Sequence, residues 1–147
     1  MSVWGVAIKG LDAVRKIGEY LEGRVHENLN IMGLMIVREA KRRAPVGVSG
    51  LMRSRIVHEV VKGRSPLDAT LRVYVPVQTE RGFPYAVAVE YGTKPHMPPV
   101  SALALWAKRK GVNPWAIAYS IKKFGTKPHP FLNPAAEEVI KSYHWRW

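Results

Sequence analysis

At 147 residues the chain has the length of one domain, and without cysteine it holds neither disulfides nor thiolate metal sites. Lys and Arg number 23 against 11 Asp and Glu, a formal charge of +12 that suits phosphates or a carboxylate-rich protein face. The opening Met1-Ser2-Val3-Trp4-Gly5 lacks the pattern of a secretory signal, and the longest uncharged run, Pro95 to Ala107, is too short to span a membrane, so a soluble protein is expected.

From Leu11 onward, Leu11, Val14, Ile17, Leu21, Val25, Leu29, Met32, Ile36 and Ala40 follow at steps of three or four, the spacing of an amphipathic helix. Lys16, Glu19, Glu22, Glu27, Arg38 and Glu39 take the opposite face. Gly18, Gly23 and Gly33 each weaken an exposed helix by about 1 kcal/mol, which predicts a bend or break near Gly23 or the stretch 28–30. Pro45 disfavours helical geometry at Ala44 and closes a helical region spanning 1–44. Its last turn is basic, with Arg38, Lys41, Arg42 and Arg43. Cations there suit the negative end of the helix dipole and would equally suit nucleic acid.

After the loop 45–50, residues 56–61 are β-branched and read as extended. Leu71, Val73, Val75 and Val77 alternate with Thr70, Arg72, Tyr74 and Pro76, a strand with one buried face, and Pro76 places it at an edge or a strand end. Tyr85, Val87, Val89 and Tyr91 alternate with Ala86, Ala88 and Glu90, giving another strand, joined through a hairpin turn over 78–84. The expected fold class is α+β: an antiparallel sheet of three to four strands packed against the long N-terminal helix, with further helices in the C-terminal half.

Those helices are well punctuated. Residues 101–110 are closed by Gly111; Asn113-Pro114 supplies an N-cap and a first-turn proline for a helix ended by Gly125; Asn133-Pro134 repeats the start signal for a helix to about Tyr143. The pentapeptide Gly-Thr-Lys-Pro-His occurs at 92–96 and again at 125–129, each copy after an aromatic residue, Tyr91 or Phe124. The two copies read as structural joints, paired hinges around a two-helix segment, and one repeated joint is not a solenoid. One domain, 1–147, thus divides into the helical region, a loop and sheet over 45–93, a basic helical insertion over 94–129, and a C-terminal helix and tail over 130–147.

The search for chemistry ends without a site. His26, His58, His96, His129 and His144 form no zinc motif, and loop hydrogen bonding is the preferred role for His96 and His129. Ser49 falls short of a nucleophile elbow, since Leu51 stands where the last glycine belongs, and reads as a turn residue. No phosphate loop is present, so no cofactor is expected. Glu80 and Glu90 flank the expected hairpin without supporting catalytic groups. A salt bridge or a backbone cap is the better role for Glu90. Core packing accounts for Trp106 and Trp115, whereas Trp145 and Trp147 at the chain end point to burial against a partner. Tyr91 to Ala136 contains no acid, and its cations Lys94, Lys108, Arg109, Lys110, Lys122, Lys123 and Lys127 are candidates for partner or DNA contact.

Four pieces in order outline a pattern: a basic helix ending in Ala44-Pro45, then Ser49-Gly50-Leu51-Met52-Arg53-Ser54-Arg55-Ile56, then Tyr85 through Thr93 (YAVAVEYGT), then Pro130 through Ala135 (PFLNPA). Over residues 35–140 this resembles the HK97-type neck or tail-completion (head–tail joining) proteins of long-tailed phages and prophages. Met52 separates Leu51 from Arg53, which the family pattern often joins, and the two-helix segment resembles a longer subgroup. The resemblance implies a non-enzymatic virion protein of the head–tail connector, made in the host cytoplasm, assembling with other connector or tail proteins and with itself as a ring around the DNA channel. It implies no catalytic residue, metal or cofactor. Contact candidates are Arg42, Arg43, Arg53, the seven cations above, Trp145 and Trp147. The alternative is a nucleic-acid-binding protein without sequence specificity; a hydrolase lacks any nucleophile with a base beside it.

Overall fold

The computed structural model describes residues 3–47, 50–65, 67–78, 82 and 84–147, the side chains of 3–13 excepted. Ser49 and Glu80 lie outside the described residues, as do most of the expected turn at 78–84 and the first two residues of the chain.

Helix α1, Val3–Arg43, runs 41 residues without interruption, about 60 Å of helix. The break expected near Gly23 or residues 28–30 is absent; residues 28 and 30 are held by neighbours, whereas Gly23 faces open space and the helix runs through it. Asn28 is buried and hydrogen-bonded to the C-terminal tail, and Asn30 Oδ1 lies 2.8 Å from His58 Nε2. Gly33 sits under the His58 ring and a Leu71 methyl, where a Cβ would collide with both. A glycine there costs helix propensity but lets the sheet close onto the helix.

Helix α2, Leu51–Ser54, follows the proline loop and is a single turn that the sequence reading missed; Ser54 Oγ donates to the Leu51 carbonyl at 2.9 Å. Strands β1, Val57–Lys62, and β2, Ala69–Tyr74, pair antiparallel from Val57 opposite Tyr74 to Lys62 opposite Ala69. Asp68 ties their turn: its carbonyl accepts from the Gly63 N–H and its carboxylate from the Arg64 N–H at 3.2 Å. β2 stops two residues before Pro76, as a missing ladder donor requires.

The third strand is a correction. Residues Tyr85–Tyr91 form helix α3, so the sheet among the described residues has two strands rather than three or four. Seven residues in which Tyr and Val alternate with Ala and Glu satisfy a period of two, yet burial follows the helical period. Ala86 and Val89 pack on the core and Glu90 is buried, while Tyr85, Val87 and Tyr91 face outward.

Helices α4, Val100–Lys110, α5, Pro114–Phe124, and α6, Leu132–Ser142, match the remaining expectations closely. Gly111 closes α4 in the left-handed region, and Asn113 Oδ1 accepts from the Trp115 N–H at 2.9 Å with Pro114 opening α5. The fold class is therefore α+β, with the long N-terminal helix packed on a small antiparallel sheet and further helices in the C-terminal half. Ala40, Ala44, Met52, Ile56, Phe131 and Ala135 form the main core cluster, joined by Val89 and Ala86 of α3. Met32, Ile36 and Val139 form a second, which Leu71 and Val73 of β2 cover.

Candidate assembly surface

The two Gly-Thr-Lys-Pro-His copies meet. Thr93 and Thr126 form an isolated antiparallel bridge in which each N–H donates to the other carbonyl at 3.2 Å, and their hydroxyl oxygens lie 2.9 Å apart. Each copy supplies the same parts to the other. Gly92 has φ 73 and ψ −179, and Gly125 has φ 72 and ψ −161, a region open essentially to glycine alone. A Cβ on Gly92 would strike the Thr126 carbonyl, and one on Gly125 the Thr93 carbonyl. The histidine N–H groups complete the exchange, that of His96 donating to Ile121 O at 3.3 Å and that of His129 to Val89 O at 2.7 Å. The ring of His96 stays within its own loop, with Nδ1 2.9 Å from the Lys94 carbonyl.

Glu90 fastens this clasp to the body. Its carboxylate accepts three backbone N–H groups at the start of α6: Phe131 at 2.8 Å and Leu132 at 2.9 Å on Oε2, and Asn133 at 2.9 Å on Oε1. The backbone-cap role expected of Glu90 is the one it has, supplied from α3 to a different helix. Asn133, expected as the cap of α6, lies within the helix instead and donates its amide to Tyr91 Oη at 2.9 Å.

Between the joints, α4 and α5 pack on each other as a helical hairpin, and neither shares an extended contact with the rest of the described chain. Inside the pair only Ala107 and Ala118 are fully buried. Large apolar groups face out: Leu105, Trp106 and Val112, with Trp115 at 53%, Tyr119 at 57% and Phe124 at 70% exposure. Trp106 and Trp115 are thus not core residues: the fully buried position of each helix is an alanine, and both tryptophans are left exposed. Trp115, Tyr119 and Lys122 fall at helical spacing on one face, and the Trp115 and Tyr119 rings lie 6.3 Å apart.

The cations sort by position. Lys108, Arg109 and Lys110 end α4 at the hairpin's tip; Lys122 and Lys123 end α5 at its root, where Lys94 and Lys127 cross the clasp. All seven are exposed, and Lys123 Nζ sits 5.1 Å from the Phe124 ring centroid. Arg42 and Arg43 belong elsewhere. Arg42 pairs with Glu39 at 2.9 Å, and Arg43 pairs with Glu138 of α6, which ties the end of α1 to that helix. Arg53 is half-buried on α2.

Trp145 and Trp147 stack at 5.7 Å along α1 and, with Val25, Leu29, Leu67 and Ala69, line an apolar groove of about 420 Å³. They are held there by a residue the sequence reading did not single out. Asn28 Oδ1 accepts from the Arg146 N–H and from Tyr143 Oη, both at 2.9 Å, and Asn28 Nδ2 donates to the Arg146 carbonyl at 2.8 Å. The signal was legible: Asn28 lies on the apolar stripe, three residues after Val25 and four before Met32. A polar group there must find a buried partner.

Among the described residues no three His, Asp or Glu side chains converge on a metal-sized site, and no helix is long and apolar enough to cross a membrane. Neither a family model, nor a curated protein, nor a solved structure matches the chain.

Proposed function

We propose that this protein is a structural component of a phage or prophage head–tail connector, a neck or tail-completion protein acting by protein–protein assembly around the DNA channel. The observation that carries the reading is the amount of apolar surface held away from the core. Leu105, Trp106, Trp115, Tyr119 and Phe124 on the hairpin are exposed, and so, on a separate surface, are Val14, Ile17 and Tyr20 on α1; large apolar side chains left in water in such numbers suit surfaces that meet a partner. The four-piece sequence pattern points to the same role, and with it to a ring-forming homo-oligomer in the virion.

Mixing with connector or tail-tube components tests the proposal. A defined oligomer is expected, and incorporation into particles should follow; a chain that stays monomeric with every component and never enters particles refutes it. The second reading, non-specific nucleic-acid binding, draws on the acid-free hairpin with three cations at its tip. DNA affinity that vanishes between low and physiological salt would reduce it to a charge effect.

A further inference from the structure

We infer that the α4–α5 hairpin of one copy seats on the amino-terminal half of α1 of a second copy, a head-to-tail contact between two different surfaces of the same chain. The inference rests on the assembly reading above and names the surfaces that touch.

The apolar stripe of α1 runs past the core. Met32, Ile36 and Ala40 are buried, whereas Val14 and Ile17 are exposed, Ile17 at 59%. Ile17 stands about 35 Å along the helix from Ala40. The hairpin is rooted at the other end, since its clasp is bonded to Val89 and lies beside Phe131, both packed with Ala40 and Ala44. Each of its helices has 11 residues, about 17 Å of length, so it cannot cover Ile17 of its own chain. A second copy can.

Charge selects the same surface. Residues 97–124 carry five cations and no acid, whereas residues 12–27 carry four acids, Asp12, Glu19, Glu22 and Glu27, against three cations, Arg15, Lys16 and Arg24. On a chain of +12, that stretch has a net charge of −1 (three minus four); with Lys62 of β1 paired to Glu22 at 3.1 Å the face is close to neutral, and it meets a +5 hairpin with less like-charge cost than the rest of the chain would. Leu105, Trp106, Trp115, Tyr119 and Phe124 of the hairpin present roughly 600 Å² between them, below the ~800 Å² per partner of a stable interface. A contact between unlike surfaces does not saturate in a pair; it propagates and, with the right rotation, closes. The individual contact is weak and association rises steeply with concentration.

The absence of cysteine makes the test direct. Ile17→Cys and Tyr119→Cys proteins, both exposed sites checked by circular dichroism, are mixed at high concentration and treated with a short bismaleimide. Mixed dimer in excess over both homodimers is expected, and the Ile17→Cys/Tyr119→Cys double variant should give a ladder of oligomers. Leu34→Cys, exposed in the middle of α1, mixed with Tyr119→Cys reports random collision. Mixed dimer no more abundant than that control, or a dominant Ile17→Cys homodimer, overturns the inference. Wild-type incorporation into particles is scored separately. Incorporation with background cross-linking removes this contact and leaves the connector role; strong mixed dimer without incorporation does the reverse.

Discussion

Replacing Glu90 by Gln keeps the shape of the side chain and removes its charge. The carboxylate accepts three N–H groups at 2.8 to 2.9 Å inside a site where Glu90 is 6% exposed. In the amide, one oxygen can stay with Phe131 and Leu132, but the NH2 group then faces the Asn133 N–H, donor against donor. One bond to a charged group, about 1.5–3 kcal/mol, is lost, a buried donor is left unpaired, and the two remaining bonds weaken. The sum is about 3 kcal/mol. With a urea m-value near 2 kcal/mol/M, the unfolding midpoint should fall by about 1.5 M at unchanged slope. Glu59→Gln on the exposed strand should stay within about 0.5 kcal/mol of wild type. Circular dichroism at 222 nm reads both. A Glu90→Gln midpoint equal to that of Glu59→Gln would refute the view that this carboxylate fastens α3 to α6.

Gly125→Ala places a Cβ against the Thr93 carbonyl at φ 72; a loss of 2 kcal/mol or more is expected in the same urea assay, and a neutral result would remove the need for glycine at the clasp. Thr93→Cys/Thr126→Cys should oxidise spontaneously, because an antiparallel pair that exchanges both hydrogen bonds holds its Cα atoms about 5.5 Å apart. Closing that loop should add about 3–4 kcal/mol, lost on reduction; free thiols in a folded, oxidised sample would argue against the bridge. Asn28→Leu leaves the Arg146 N–H and Tyr143 Oη without a partner, while the Arg146 carbonyl keeps the Arg24 guanidinium at 3.0 Å, at a cost of about 2 kcal/mol. Its tryptophan emission should shift to the red as Trp145 and Trp147 leave α1, and an unchanged spectrum would mean the tail is held by the stacked rings instead.

Long-range periodicity and punctuation made most of this fold legible. The nine-residue apolar stripe predicted α1, and the Asn-Pro and glycine signals bounded α4 and α5 to within a residue or so. Tyr85–Tyr91 misled because seven alternating residues fit a strand as well as a helix, and the deciding fact is non-local: Glu90 must reach the start of α6. The tryptophans misled for another reason. Helical spacing says which residues share a face and nothing about what that face meets, so Trp106 and Trp115 could not be distinguished from core residues until Ala107 and Ala118 proved to be the buried positions. The repeated pentapeptide announced two joints; that each is the other's partner required three dimensions.

The Thr93–Thr126 clasp also fixes where mechanical load goes. A pull on the hairpin reaches both strands of the clasp at once and divides between α3, through Gly92, and α6, through the segment that His129 and Glu90 bind. Both branches end on helices that pack against the end of α1. Tension at the hairpin therefore meets the clasp, the His129 bond and the Glu90 cap, a few hydrogen bonds, before it reaches the core cluster around Ala40 and Phe131.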